Sequence, residues 1–470
     1  MYALLLTIHI ILATAASVHI LLSKKQVRAA VSWLGISWLS PIIGSFIYFV
    51  FGINRVARRA LKFRQLTGAE SKDIRSAPVE KSSIGETRVS NLTRRVGDSL
   101  ADFPLVDGNS MDIFQNGDEA YPEMLAAISA AEKTIALSSY IFRMDKNGRK
   151  FVQALADAKD RGVEVKVLID GIGGGFLKCP AVTELATFGI DARRFLFSLA
   201  PWKMSYLNLR NHKKLLILDG KTAFVGGMNI GSENLLRRKL ASSVRDTHFK
   251  FKGKVVTQLL HSFAEDWFFT AEEELTGEGW WADAENSGTV ISRVINSGPD
   301  QEPGHAEAIF AAAIVGARER IRIVTPYFLP DEKLQYLLEL AALRGVTIDI
   351  VVPLKTDFRI FDWAMQGQIS LMNLKSINCR NSLQPFDHTK LFTVDGSWCA
   401  IGSPNWDARS MRLNFEILVE CHGAKAVERV DRIIDEKIEK TAPYGRPPDS
   451  WISDGSRLRN AAARLLMPYL

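Results

Sequence analysis

The pattern of hydrophobic and polar positions divides the chain into an apolar start and a longer, regularly patterned remainder. Residues 1–23 carry no charged side chain, and after three basic residues a second uncharged run covers 29–54. A membrane-spanning helix needs about 20 apolar residues, so both runs are long enough. No basic segment precedes the first run, as it would in a signal peptide. The pattern predicts a membrane anchor over residues 1–64 with two transmembrane helices.

Individual residues within this start refine the prediction. Pro41 predicts a kink in the second helix, whereas His9 and His19 in the first are expected to serve helix packing. A basic cluster follows the second run, formed by Arg55, Arg58, Arg59, Lys62 and Arg64. The positive-inside rule then favours a cytoplasmic catalytic region, and a tightly paired or re-entrant hairpin would accommodate the basic loop between the runs.

Beyond a polar stretch over 65–110, which is typical of a linker, strand and helix patterns alternate. The segments are EAYPEMLAAISAAEK, TIALSSYIF, GRKFVQALADAKDRG and VEVKVLID, and a matching series runs HAEAIFAAAIVGARE, IRIVTPYFL, DEKLQYLLELAALRG and VTIDIVVP. Such alternation predicts an α/β fold with mainly parallel sheets flanked by helices. We therefore expect two homologous halves, 111–285 and 286–470.

A polar motif occurs once in each half at the same internal spacing. HKKLLILDGKTAFVGGMN begins at His212, and HTKLFTVDGSWCAIGSPN begins at His388. Both copies contain H-x-K, four apolar or small residues, Asp-Gly and a small-residue loop ending in Asn. A His and a Lys two positions apart point to one side of an extended chain, and Asp-Gly predicts a turn. A single copy would arise readily by chance, but two copies at identical spacing predict function.

The residue types in this motif suit phosphoryl transfer. An imidazole is a nucleophile or a general acid–base near neutral pH, and an ammonium binds phosphate oxygens. If the halves meet, His212, Lys214, His388 and Lys390 surround one anion without needing a metal or other cofactor. Further predicted donors to that anion are Asn229, Asn405 and Ser403.

Composition and charge narrow the class of partner but do not select one. The net charge of +7 suits an anionic partner, either nucleic acid or anionic lipid, and 47% hydrophobic residues indicate a packed core. The four Cys residues are scattered without a C-x2-C pair, which argues against disulfides and a Cys-ligated zinc.

H-x-K-x4-D occurring twice, each followed by G-[GS]-x-N, is the signature of the phospholipase D superfamily. With the continuations GSPNWDARSMRLNFE and GGMNIGSEN and the segment WLGISWLSPIIGSFIYFVFGINRVARRA, nearly the whole chain resembles bacterial cardiolipin synthases of that superfamily. The resemblance implies a multi-pass protein of the bacterial inner membrane. It also implies transfer of a phosphatidyl group between two phosphatidylglycerol molecules, giving cardiolipin and glycerol through a phosphohistidine.

Several alternatives remain open beside this function. A hydrolytic phospholipase D, or a phosphatidyl transferase with another alcohol acceptor, would use the same motif. A nuclease shares the motif but has no need of the apolar start, so the anchor favours lipid over nucleic acid. A membrane scaffold without catalysis conflicts with the intact His, Lys and Asn of both copies. The sequence predicts no oligomeric state.

The resemblance also implies roles for individual residues. It assigns Asp246 and Glu416 to orienting the catalytic imidazoles, and it includes Asp219 and Asp395 in the catalytic motif. Their position after the apolar strand predicts that this last pair are structural acceptors at a turn. Tyr140 and Tyr327 correspond between the halves and either line the site or pack in the core. The final stretch, 456–470, is either a membrane-surface helix or a packed terminal helix.

Overall fold

The structure is a computed structural model that describes residues 2–24, 27–52, 87–175, 177–197, 209–283, 285–299, 304–372, 377–444, 454–465 and 467. The basic cluster between Arg55 and Arg64 and the first part of the predicted linker lie outside these residues. The described α-helices are α1 (Tyr2–Ser23), α2 (Val27–Leu39), α3 (Ile43–Ile47), α4 (Arg88–Leu100), α5 (Asn116–Ala130), α6 (Lys146–Asp160), α7 (Pro180–Thr187), α8 (Val255–Ala271), α9 (His305–Gly316), α10 (Glu332–Leu343), α11 (Arg359–Ile369), α12 (Ala408–Arg412), α13 (Ala424–Glu439) and α14 (Asp454–Leu465).

The apolar start contains one helix, α1, that is long and apolar enough to cross a membrane, among the residues described. The second uncharged run is not the single membrane-spanning helix that the sequence predicted, and the kink expected at Pro41 is a complete break. It breaks after α2, because Pro41 cannot donate a backbone hydrogen bond and Ile42 adopts a positive φ of 62°. Helix α3 and a π-helical turn over Tyr48–Gly52 then continue the run. With 13 residues, α2 is about 20 Å long and falls short of the hydrocarbon thickness.

The two apolar segments pack against each other through the polar side chains of α1. Nδ1 of His19 lies 2.7 Å from the hydroxyl of Tyr48, and the indole of Trp38 donates to the hydroxyl of Ser17 at 2.9 Å. The backbone N–H of Ile42, at the break, donates to Nδ1 of His9 at 3.3 Å. Both histidines therefore serve packing within the anchor.

The predicted linker ends earlier than residue 110. Helix α4 begins with Thr87, whose hydroxyl accepts from the backbone N–H of Ser90, and it packs against α9. Its heptad-like apolar positions were too few to stand out in a polar segment. Fully buried Arg293 donates to Asp98 in α4 at 2.8 Å, so this helix belongs to the folded body.

The described strands are β1 (Val106–Gln115), β2 (Thr134–Ser139), β3 (Glu164–Asp170), β4 (Asp191–Phe195), β5 (Leu215–Leu218), β6 (Thr222–Gly226), β7 (Val244–Arg245), β8 (Thr247–Lys252), β9 (Val290–Ser297), β10 (Arg320–Val324), β11 (Phe328–Leu329), β12 (Thr347–Pro353), β13 (Ile377–Ser382), β14 (Phe386–Asp387), β15 (Leu391–Val394), β16 (Trp398–Gly402), β17 (Trp406–Asp407), β18 (Glu416–His422) and β19 (Thr441–Pro443). One sheet has the order β19-β13-β12-β10-β15-β16-β18-β9-β1-β8-β6-β5-β2-β3-β4.

The duplication is visible in this order. From its centre outward, the first half reads β1-β8-β6-β5-β2-β3-β4 and the second reads β9-β18-β16-β15-β10-β12-β13, with the same roles in the same places. The antiparallel pair β1 and β9 joins the halves. The two halves are therefore related by a pseudo-two-fold axis, as the repeated segments predicted.

The sheet is mixed, and the prediction of mainly parallel sheets was wrong. Among the described strands of this sheet, parallel pairing joins only β2–β3–β4 and β10–β12–β13, which include the strands of the alternating segments. The motif strands form antiparallel hairpins, β5 with β6 and β15 with β16, and these continue through β8 and β18. A tight Asp-Gly turn can only join antiparallel strands, so the motif itself carried this information.

Helices cover both faces of the sheet. Helices α8 and α13, one from each half, share a single core across the centre of the sheet. On the other face, α5, α6 and α7 cover the first half, and α9, α10 and α11 cover the second. Helix α14 packs on α11, with Arg459 over the ring of Trp363 at 4.7 Å, which corresponds to the packed terminal helix rather than the membrane-surface one.

Candidate active site

Each motif begins on an extended segment that alternates sides. His212 and Lys214 face the interface between the halves, whereas Lys213 between them points into the body of the first half. There its ammonium group lies 3.0 Å from a carboxylate oxygen of Asp266 and 3.0 Å from the hydroxyl of Ser262, both on α8. This buried ion pair fixes the face of the strand on which the histidine lies.

The aspartates of the motif lie at the opposite end of the strand from the histidines. Asp219 and Gly220 both have positive φ, 52° and 62°, as a type I′ turn requires. The Asp219 carboxylate accepts from three backbone N–H groups at the start of β2, at 2.7–3.0 Å. Asp395 does the same at the start of β10, at 2.8–2.9 Å. Their inclusion among the catalytic residues is corrected, since both are structural acceptors at the turn.

Backbone hydrogen bonds join each motif to the opposite half. The N–H of His212 donates to the carbonyl of Phe415 at 2.9 Å, and the N–H of His388 donates to the carbonyl of Arg245 at 2.8 Å. Beside the second of these bonds, β14 pairs with β7 across the interface. Each carbonyl belongs to the residue immediately before a predicted His-orienting carboxylate.

The two imidazoles consequently take their carboxylates from opposite halves. Nδ1 of His212 lies 3.0 Å from Oε2 of Glu416, and Nδ1 of His388 lies 2.8 Å from Oδ2 of Asp246. The ring centroids of the two histidines are 6.3 Å apart and the rings are nearly perpendicular, at 85°. A carboxylate on Nδ1 leaves Nε2 of each ring for chemistry.

The lysines flank the histidines. The Lys214 ammonium donates to the carbonyl of His212 at 2.6 Å, and the Lys390 ammonium donates to the carbonyl of His388 at 2.7 Å. The ring of Tyr140 lies 5.1 Å from the His212 ring and 5.3 Å from the Lys214 ammonium. Tyr140 therefore lines the site.

The corresponding residue of the second half lies differently. The hydroxyl of Tyr327 donates to Asp357, and its ring lies 4.4 Å from that of Phe361. The two alternatives that the sequence left open for the tyrosines thus apply one to each half.

The small-residue loops hold the remaining predicted residues. Asn229 accepts the N–H of Ile141 at 3.2 Å, and its carbonyl accepts the Tyr121 hydroxyl at 2.7 Å. Asn405 is buried, hydrogen-bonds to Asp407, and has no partner for its side-chain oxygen.

Ser403 corrects a prediction. Its hydroxyl is fully buried and donates to Glu416, so it supports the carboxylate rather than binding substrate. Asn414, which the sequence analysis missed, donates to the other oxygen of Glu416 at 3.1 Å. Its place two residues before a predicted functional acid was the available signal. In the first half, Gly227 takes the place of Ser403, and a Cβ atom there would lie 2.4 Å from Asp246.

Burial controls the charge state of the site. Burial and the neighbouring lysines lower the pKa of His212 to about 4 and that of His388 to about 4. Burial lowers the pKa of Lys214 to about 7 and that of Lys390 to about 8. The empty site therefore holds two neutral imidazoles at pH 7, and an anionic ligand between them would favour their protonated forms.

Glu416 behaves in the opposite way. Burial alone would raise the pKa of Glu416, but its interaction with His212, including the hydrogen bond to that ring, the ammonium of Lys214 and the Ser403 hydrogen bond lower it to about 2. It stays ionised and accepts the Nδ1–H of His212 throughout the physiological range.

Within the described part of the chain, no group of three or more His, Cys, Asp and Glu side chains could hold a metal ion.

Comparison with known proteins places the chain in a family. A family model described as cardiolipin synthase, PLD-like domain, matches residues 124–267 and 310–438. A second, described as phospholipase D-nuclease N-terminal, matches 11–52. Cardiolipin synthase 1 of Bacillus cereus is 28% identical over 96% of this chain and 91% of its own length. A cardiolipin synthase of Clostridium perfringens (strain SM101 / Type A) is 30% identical over 84% of each chain.

The fold has a solved counterpart. The crystal structure of phosphatidylserine synthase from Haemophilus influenzae Rd KW20 superposes with a TM-score of 0.63 at 14% identity, covering 80% of this chain and 100% of that one. At this identity the likeness concerns the fold alone. The catalytic-domain model, by contrast, matches more than half of the chain and falls on both motifs, so the chain belongs to the cardiolipin synthase family of the phospholipase D superfamily.

Proposed function

We infer that this protein is a cardiolipin synthase, a phosphatidyltransferase that joins two phosphatidylglycerol molecules into cardiolipin and releases glycerol. The observation that carries the inference is the pair of facing imidazoles, each held at Nδ1 by a carboxylate of the other half. One anionic phosphodiester between them meets a nucleophile on one side and an acid on the other. Membership of the family supports a lipid as that phosphodiester.

In the first proposed step, Nε2 of neutral His212 attacks the phosphorus of one phosphatidylglycerol. A nitrogen–phosphorus bond forms as the bond between phosphorus and the glycerol headgroup oxygen breaks. Protonated His388 gives its proton to that oxygen, and glycerol leaves. Lys214 and Lys390 stabilise the phosphoryl oxygens, and each such donor contributes roughly 2.7–4 kcal/mol in a transition state.

In the second proposed step, His388 is neutral and accepts a proton from the free glycerol hydroxyl of a second phosphatidylglycerol. The hydroxyl oxygen attacks phosphorus, the bond to His212 breaks, and cardiolipin is released. His388 ends protonated and His212 ends neutral, so the cycle is closed. Asn229 and Asn405, one from each half, are proposed to hold the phosphoryl oxygens together with the lysines.

The assignment of His212 as nucleophile distinguishes two nearly symmetric residues. Brief reaction with labelled phosphatidylglycerol, a denaturing quench and peptide mapping are expected to find the adduct on His212. An adduct on His388, or one that still forms in His212→Ala, would reverse the roles while keeping the two-step route.

The overall function is tested by the products. Purified protein in vesicles of phosphatidylglycerol alone is expected to form cardiolipin and glycerol in equal amounts, measured by mass spectrometry. Phosphatidic acid as the only lipid product would make the protein a hydrolytic phospholipase D. A mixed product that appears only when another alcohol is added would identify a different acceptor. A folded protein that forms no product would support a scaffold.

Localisation follows from the apolar start. We place the protein in the bacterial inner membrane, anchored through α1 and the paired second segment, with the catalytic halves in the cytoplasm. The basic residues that follow the second segment in the sequence support this orientation. A carboxyl-terminal reporter that is active only in the periplasm would contradict it.

A further inference from the structure

Four loops of the catalytic halves expose large apolar side chains, and all four follow strands or motifs that end at the active site. We call them the rim loops: 171–175 with 177–179 after β3, 235–243 before β7, 354–358 after β12 and 383–385 after β13. Their exposed apolar residues, with the exposed fraction of each, are Leu177 (74%), Leu240 (40%), Leu354 (48%), Phe358 (59%) and Leu383 (48%).

Contacts place the first two rim loops, both from the first half of the chain, beside the two catalytic histidines. Gly173 lies so close to Tyr140 that a Cβ atom there would lie 2.4 Å from the Tyr140 carbonyl oxygen. The loop with Leu240 runs into β7, which pairs with β14 and immediately precedes Asp246. Tyr140 and Asp246 contact the two catalytic rings.

The other two rim loops lie beside the His388 half. Asp357 accepts the hydroxyl hydrogen bond of Tyr327, whose ring lies 6.1 Å from that of Phe386. The Phe386 ring lies 5.9 Å from the His388 ring. The third and fourth rim loops are joined by the N–H of Leu354, which donates to the carbonyl of Ser382 at 3.0 Å. All four rim loops therefore border one opening.

Basic residues alternate with these apolar ones. The rim loops contain Lys178, Arg237, Arg238, Lys239 and Lys355 against one acidic residue, Asp357. All five basic side chains are exposed; Asp357 is exposed as well, and it accepts the Tyr327 hydroxyl. Exposed apolar side chains cost free energy in water, and a basic rim is attracted to an anionic surface.

We propose that the rim loops dock on the surface of an anionic bilayer, so that the apolar side chains insert among the headgroups while the basic side chains contact lipid phosphates. The amino-terminal anchor only keeps the catalytic halves near the membrane. Docking of the rim places the opening over the bilayer plane and lets a phosphodiester reach the histidines without its acyl chains crossing water.

The chemistry of the rim favours a bilayer over a second copy of this chain. A self-complementary interface would bring the basic loops of both copies together, and like charges facing each other are destabilising. Isolated leucines separated by lysines and arginines match the pattern of a surface that lies in a lipid interface. The proposal rests on the proposed function only in that the substrate is a bilayer lipid.

A matched pair of double variants tests the proposal in the full-length protein. Leu354→Ser/Phe358→Ser removes apolar side chains from the rim. Leu343→Ser/Phe188→Ser removes one exposed leucine and one exposed phenylalanine, 74% and 41% exposed, from the end of the sheet opposite the site. Total turnover of phosphatidylglycerol is measured on vesicles and on a short-chain phosphatidylglycerol dispersed as monomers.

The rim variant is expected to lose about tenfold or more in kcat/KM on vesicles and to stay within about twofold of wild type on the monomeric lipid. The control variant should match wild type on both. Equal activity of the rim and control variants on vesicles would overturn the proposal. Equal losses on vesicles and monomers would also overturn it, because the loops would then serve folding, catalysis or self-association.

The readout separates this proposal from the proposed function. Because total turnover is counted, hydrolysis to phosphatidic acid reports docking as well as cardiolipin synthesis does. Wild type that turns over lipid without making cardiolipin would refute the synthase assignment and leave the docking comparison intact. Added salt should lower the wild-type activity on the same vesicles, because a shorter Debye length weakens the attraction between the basic rim loops and the anionic surface.

Discussion

At the scale of single residues, the buried lysines limit the pH range over which the site is positively charged, whereas an exposed lysine would stay charged to about pH 10. Burial brings the pKa of Lys214 to about 7 and that of Lys390 to about 8, so the empty site loses positive charge just above neutrality. In the proposed mechanism, both ammonium groups bind the phosphodiester in their charged form. An anionic ligand stabilises those charged forms, so the bound site holds its charge to higher pH than the empty site.

This difference predicts two pH profiles. The value of kcat/KM for phosphatidylglycerol reports the empty site, in which His388, with a pKa of about 4, is already mostly neutral at neutral pH. It is therefore expected to fall with rising pH, and to fall more steeply through about 7–8, where the lysines lose their charge. The value of kcat, which reports the occupied site, should fall at higher pH. Initial rates across pH 5–10 in vesicles of constant composition measure both. A kcat/KM that stays level up to about pH 10 would mean that the lysine charges are not required.

At the scale of elements, the motif is a strand and hairpin whose two ends do different work. The histidine end faces the other half, and the aspartate end ties the hairpin to the start of β2 or β10. The alternation of side chains and the Asp-Gly turn are local properties, so the sequence predicted the turn and its acceptors from local pattern, whereas the catalytic role for Asp219 and Asp395 came from the resemblance.

The geometry of the hairpin predicts that a substitution at its aspartate end lowers the stability of the protein but not its catalytic rate. Asp219→Ala removes the acceptor of three backbone N–H groups and is expected to lower the free energy of unfolding by about 2 kcal/mol. The folded variant should keep kcat within a few-fold of wild type. Denaturant unfolding and initial rates measure the two effects, with the exposed Lys221→Ala in the same turn as control. A large loss of kcat at unchanged stability would restore Asp219 to the catalytic residues.

Other elements depended on information that local pattern does not contain. The break at Pro41 is stabilised by His9, which lies 33 residues earlier and accepts the N–H of Ile42. Helix α4 looked like linker because its few apolar positions find their partners about two hundred residues later, on α9 and around Arg293. Hydrophobic periodicity reports that a face is buried, but not what covers it.

At the scale of the whole molecule, the site exists only between the halves. The sequence supplied His212, His388, Asp246 and Glu416 as the residues of the site, but not their pairing. Within each half, 28 or more residues separate the histidine from the candidate His-orienting acid, and nothing in that spacing favours the acid of the opposite half. We call this pairing of each histidine with the acid of the other half the crossing. It follows from the pairing of β7 with β14 and from the backbone hydrogen bond between His212 and Phe415.

The crossing predicts which substitution disables which histidine. Glu416→Gln, in the second half, is expected to abolish the adduct on His212 in the first half and to lower kcat by roughly 10³–10⁴-fold, because the imidazole loses its orienting carboxylate. The quench-and-map measurement detects this. The exposed Glu428→Gln on α13 is the matched control and should leave adduct formation unchanged. Normal adduct formation in Glu416→Gln would mean that the pair does not act in catalysis.

The pairing of each imidazole with a carboxylate of the other half has a consequence for dilution. Two separate polypeptides that shared such a site would lose it whenever their concentration fell below the dissociation constant between them. Because both halves belong to one chain and pair through β1 and β9, each histidine and its carboxylate are held at a fixed effective concentration. A cell that makes only a few copies of this protein thus has complete sites in all of them, and each half has been able to change its own sequence, with Gly227 in one where the other has Ser403.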